Sequence, residues 1–143
     1  MKKTLFVTLL MTALLLAACS PGGAPEPIDA GEVSEAVYTP ISVETLAEMM
    51  DARRESFLLV NTHIPFEGNL PGTDLSVAYN ETSDHLDLFP EDKDAEIVLY
   101  CLTDPMSRFA AEQLLAAGYR NVKILTGGMN AWLAAGLPLE MEP

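Results

Sequence analysis

Three short apolar runs dominate the chain: FLLV at residues 57–60, EIVLY at 96–100 and NVKIL at 121–125. Runs of four or five such residues are too short for helices and fit strands buried on both faces, as in a parallel sheet. Between them lie segments of helical period. In the first, Val43, Leu46, Ala47, Met49 and Met50 fall mostly on one face. Ser42 can cap it, Glu44 is in its first turn, and Arg53 and Arg54 close it. In the second, Ser107 is the expected cap, Phe109, Ala110, Leu114, Leu115 and Ala117 are expected to face inward, and Gly118 is the stop. A third short helix is expected over 129–135, after the turn Gly127-Gly128 and before Gly136 and Pro138. The loop at 63–73 is punctuated by Pro and Gly, with a weak strand near 75–79 and an irregular or helical piece near 84–89. Strands alternating with helices predict an α/β domain: a small open, mainly parallel sheet flanked by helices on both faces.

The first 37 residues do not share this pattern. Residues 1–18 carry Lys2 and Lys3 and then an uncharged apolar stretch ending in small residues, the organisation of a secretory signal. The end of that stretch, Leu16-Ala17-Ala18-Cys19, resembles the lipobox of bacterial lipoproteins. The resemblance implies cleavage before Cys19 and lipidation of that cysteine. The chain would then be anchored to a membrane in the cell envelope, outside the cytoplasm, without spanning it. Residues 20–37 are rich in Pro, Gly, Ala and acid, the composition of a flexible tether reaching on the order of 25 Å. The expected organisation is therefore a signal over 1–18, a lipidated cysteine and tether over 19–37, and one folded domain over 38–143.

Of 143 residues, 8 are basic and 21 acidic. The signal removes two of the basic residues and no acid, leaving a balance of −15. Such a chain is not expected to bind nucleic acid or to lie directly on an anionic lipid surface. With Cys19 consumed by lipid, Cys101 stands alone and no internal disulfide is available.

Cys101 closes the run EIVLY, and in open α/β sheets the binding crevice lies beyond the carboxyl ends of the strands. The turn of Leu102, Thr103, Asp104, Pro105 and Met106 would bring backbone N–H groups toward the thiol, with the helix start at Ser107 behind it. Such a cradle stabilises a thiolate or an anion bound to it.

Residues 38–138 resemble a rhodanese-like domain. The resemblance is carried by Cys101 and the following SRFAAEQLLAAGYRNV at 107–122, by LTGGMNAW at 125–132, by Gly136-Leu137-Pro138, and upstream by FLLVNTHIPFEGNLPGT at 57–73. It implies sulfur transfer. A cysteine thiolate takes the outer sulfur of a small donor such as thiosulfate, holds it as a persulfide and passes it to a thiol or cyanide-like acceptor. No cofactor is implied, and a protein partner is left open. The family pattern departs here at the positions that would meet an anionic donor. Its Asp-Val-Arg reads Asn61-Thr62-His63, its later His is Asn69, and its C-x-x-G-x-R loop has Asp104 and Met106 in place of Gly and Arg. Asp104 is expected to oppose a dianion, Pro105 removes an N–H donor, and the only local cation is Arg108. The donor site is therefore read as atypical, with Cys101 as nucleophile and Asn61, His63 and Arg108 as supporting residues. The alternative is a catalytically silent module that binds a small anion, a peptide or a partner protein. A C-x-x-x-x-x-R phosphatase loop would need arginine at 107, where Ser107 stands. His85 reads as a surface residue, and two histidines and a thiol without shared spacing assign no metal.

Overall fold

The computed structural model describes residues 37–142. The signal segment, Cys19 and residues 20–36 of the tether lie outside the described residues. Five strands form one wholly parallel sheet: β1 (Thr39–Ile41), β2 (Leu58–Asn61), β3 (Leu75–Ser76), β4 (Ile97–Tyr100) and β5 (Val122–Leu125), in the order β1-β5-β4-β2-β3. Three α-helices, α1 (Val43–Arg53), α2 (Pro105–Ala116) and α3 (Gly128–Ala134), join two 3₁₀ segments, Arg54–Ser56 and Thr82–Leu88.

The period of two within each strand divides the core between the sheet's faces. Leu59, Val98, Tyr100 and Leu125 pack with Leu46 and Met49 of α1 and with Met129 and Trp132 of α3. Val60, Ile97, Leu99, Val122 and Ile124 face the other way, against Ala110, Ala111 and Leu114 of α2. This is why β4 is apolar at every position: all four residues are fully buried. Truncating one of them, as in Leu99→Ala, is expected to cost about 2–5 kcal/mol.

Ser42 caps α1 as expected, its Oγ accepting from the Thr45 N–H at 3.2 Å. Two expectations about α2 are corrected. The helix begins at Pro105, whose fixed φ suits the first helical position, so its N-cap is Asp104 and Ser107 lies inside the first turn. Phe109 faces outward because Ala110, Ala111 and Leu114 form the face of α2 on the sheet: it is 50% exposed and meets Tyr79 edge-to-face, ring centroids 5.6 Å apart. β1 has no counterpart in the sequence reading. It is three residues long and contains Pro40, which is tolerated because the strand lies at the sheet's edge.

Candidate active site

β4 is central in the sheet, and Cys101 follows it directly at the carboxyl edge. The thiol is 1% exposed and forms part of a cavity of about 140 Å³ lined by His63, Cys101, Leu102, Thr103, Pro105 and Met106. The structure thus brings together four of the six predicted loop residues, the predicted nucleophile and His63.

Asp104 and Ser107 serve elsewhere. Ser107 is buried behind the thiol, its Oγ 3.7 Å from Cys101 Sγ and donating to the Asp104 carbonyl at 2.9 Å. The Asp104 carboxylate is engaged on the α3 side, where Oδ1 accepts the Gly127 N–H at 2.8 Å and Oδ2 lies 3.9 Å from Arg108 Nη2. Its charge is therefore met by donors outside the cavity lining, and the opposition to an anion expected from its place in the loop is weakened. Arg108 is half exposed and does not line the cavity.

The loop's shape depends on α3. Met129 N–H donates to the Cys101 carbonyl at 2.9 Å and Asn130 N–H to that of Leu102 at 3.1 Å. A Cβ on Gly128 would overlap the Cys101 carbonyl oxygen and lie 2.5 Å from that of Thr103. Gly128 also sits at φ +54°, so it is glycine that lets α3 approach the loop. With the carbonyls taken up in this way, Arg108 is the first amide of α2 with a backbone acceptor. Among the described residues the N–H groups of Leu102, Thr103, Asp104, Met106 and Ser107 have none. These unpaired donors at the start of a twelve-residue helix are suited to an anion on or near Cys101.

The opposite wall is set by Asn61. Its Nδ2 donates to the Gly68 carbonyl at 3.0 Å and to Asn69 Oδ1 at 2.9 Å, while its Oδ1 accepts the His63 N–H at 2.9 Å. One buried amide thus ties down both ends of the loop that carries His63. Asn69 Oδ1 also accepts from Tyr100 Oη at 3.2 Å. The same hydroxyl accepts the Leu70 N–H at 3.0 Å and meets Thr73 Oγ1 at 2.6 Å. Burial, the leading cause, pushes the Tyr100 phenol up to about 12.

Sequence reasoning did not assign roles to Glu67, whose Oε2 lies 2.6 Å from His63 Nε2, or to the α3 backbone behind the loop. The Gly127-Gly128 doublet was the available signal for the latter; a single carboxylate in an irregular loop gave none for the former. A larger cleft of about 490 Å³, lined in part by Arg54, Phe57, Asp74, Asp92 and Glu96, lies at the amino ends of β2 and β4 and has neither cysteine nor histidine in its lining. Among the described residues no group of three metal-ligating side chains is found, and no helix is long and apolar enough to cross a membrane.

The model of the rhodanese-like domain family matches residues 35–135, the span that holds this sheet and its cysteine loop. The chain belongs to the rhodanese-like family. It is 32% identical over 102 residues to a sulfurtransferase of Allochromatium vinosum, covering 69% of this chain and 92% of that protein. It is 31% identical over 100 residues to an uncharacterised protein of Synechocystis, covering 68% of this chain but about half, 54%, of that one. The solution structure of a rhodanese-like domain from Anabaena superposes with a TM-score of 0.64 at 21% identity, covering 74% of this chain and 81% of that one, a likeness of fold. This rhodanese-like chain is thus related to a sulfurtransferase and keeps a cysteine at the carboxyl end of its central strand.

Proposed function

We propose that this rhodanese-like protein is a single-cysteine sulfurtransferase or persulfide carrier with an atypical donor site. The observation that carries the reading is Cys101 in its cavity at the head of α2, next to five amides without backbone acceptors. A thiolate there attacks the outer sulfur of a small donor. The resulting persulfide is accommodated by N–H dipoles, and a thiol or cyanide-like acceptor removes the sulfur. Neither Asp104 nor Arg108 lines the cavity, so the site offers a dianion backbone dipoles in place of the arginine fork expected of the family.

The test is to incubate the protein with thiosulfate, a thiol persulfide or polysulfide and to weigh it intact. The expected result is the gain of one sulfur atom on Cys101, removable by cyanide. No gain with any of the three leaves a silent binding module.

The location proposed with this activity is the cell envelope, on the extracytoplasmic side of a membrane, held by lipid on Cys19. Support comes from the sequence of residues 1–19. Cys19→Ala is expected to move the protein from the membrane fraction to the soluble one; unchanged fractionation would remove the anchor from the reading.

A further inference from the structure

His63 is the one residue besides Cys101 in the cavity lining that can exchange a proton at neutral pH. Its side chain is only 6% exposed although it belongs to a surface loop. Nε2 lies 2.6 Å from Glu67 Oε2. An ionised carboxylate only accepts, so the proton in that bond belongs to Nε2. In the neutral form of the ring Nδ1 is then the acceptor, and this atom is buried without a partner among the described residues. Asn61 fixes the ring's place through the His63 N–H. A ring held at its backbone and at one nitrogen, with the other nitrogen unsatisfied, has the organisation of a general base oriented by a carboxylate.

The rest of the lining is Leu102, Thr103, Pro105 and Met106, with no Lys or Arg. A doubly charged donor finds no counter-charge there. A donor that brings its own proton, and apolar carbon next to its sulfur, fits better. An apolar cavity of roughly 150 Å³ takes a molecule the size of benzene, so this one has room for a persulfide group and a few carbons.

Building on the sulfurtransferase reading above, we propose that His63, oriented by Glu67, exchanges the proton of Cys101, and that the donor is a small organic hydropersulfide, R–S–SH. Nδ1 takes the Cys101 proton, directly or through one water. The thiolate attacks the terminal sulfur, a new S–S bond forms at Cys101, and the S–S bond of the donor breaks. The leaving thiolate, RS⁻, takes the proton back from His63 and departs as RSH. The balance is Cys–SH plus R–S–SH to Cys–S–SH plus RSH, with no outside oxidant or reductant.

The experiment is single-turnover loading of the full chain followed by mass spectrometry, with ethyl hydropersulfide and thiosulfate as donors. The native protein is expected to load faster from the hydropersulfide. His63→Ala is expected to slow that loading by about 100-fold and to recover part of the rate with added imidazole, a rescue that a merely structural role would not show. Glu67→Gln, which keeps the loop's shape, is expected to slow it about tenfold. Thermal melting confirms that both variants are folded. Loading of His63→Ala and Glu67→Gln at the native rate overturns the role of the pair and leaves the sulfurtransferase reading standing. Faster native loading from thiosulfate overturns the donor class. No native loading from either of these donors or from polysulfide overturns both readings.

Discussion

At the amino ends of β2, β4 and β5 the domain gathers five of the six basic residues found beyond residue 18. Arg53 and Lys123 share Glu96 at 2.5 and 2.8 Å, Arg54 meets Asp74 at 2.6 Å, Arg120 grips Asp94 at 2.5 Å, and Lys93 lies 3.7 Å above the Tyr119 ring. At the carboxyl ends the one Lys or Arg among the described residues is Arg108, turned toward Asp104. One end of the sheet thus neutralises its carboxylates with cations. The other lines its cavity with apolar side chains, one thiol and one imidazole. The difference teaches that the unusual loop composition is matched by the domain's charge distribution: the cations gather at the amino end, and the cysteine loop is left with backbone dipoles. Of these pairs, Arg120–Asp94 is exposed on both sides and contributes little.

The largest way to test this contrast is at the thiol itself. Cys101→Ser is expected to abolish sulfur loading with every donor, as read by intact mass. Persistent loading would move the chemistry away from the carboxyl end.

Next in size is Gly128→Ala. The added Cβ overlaps the loop's carbonyls at a position already in left-handed backbone, so a loss of about 3 kcal/mol or more is expected in urea denaturation. A near-native value would show that the contact between α3 and the loop is soft.

Tyr100→Phe removes the acceptor of the buried Leu70 N–H and is expected to cost about 1–3 kcal/mol. It also tests a pH effect. An unfolded tyrosine ionises near pH ~10, whereas the folded phenol stays protonated to about 12. The stability from this group is fully present below the unfolded value and falls as pH rises through the window toward the folded one. The variant is expected to flatten that alkaline decline.

Met106→Arg places a cation in the cavity lining, which holds none. Thiosulfate loading is expected to rise about tenfold, equivalent to roughly 1.4 kcal/mol of anion stabilisation. Adding Asp104→Gly removes the acceptor of the Gly127 N–H and is expected to cost about 1 kcal/mol in stability. If Met106→Arg has no effect on thiosulfate loading, the missing cation is not what limits the donor.

The smallest effect belongs to the charged end. Arg53 first, and then Lys123, hold the Glu96 carboxyl below its ordinary value. Its stabilisation is present above the unfolded pKa and is lost as pH falls through the depressed folded one. Glu96→Gln is expected to cost less than about 1 kcal/mol at neutral pH and to flatten the acid limb of the stability curve.

The strands β2, β4 and β5 and all three helices were legible because burial on both sheet faces leaves uninterrupted apolar runs, and helical packing leaves a period of 3.6. Cys101 was legible because its place at a strand end follows from chain order alone. β1 was not, since three residues around Pro40 gain their strand geometry only from pairing with β5. The start of α2 moved because Pro105 favours the first helical position while Ser107 is held by the Asp104 carbonyl. The sequence by itself determined the α/β order, the cysteine at a strand end and the absence of the usual arginine in its loop. Only the tertiary structure decided that Asp104 serves α3 and that Arg108 stands outside the lining. It also decided that His63 meets Glu67 and lines the cavity that holds the thiol. The physical reason is that side-chain direction and hydrogen-bond partnership depend on segments far apart in the chain, here residues 61–69, 101–108 and 127–130, which no local spacing relates.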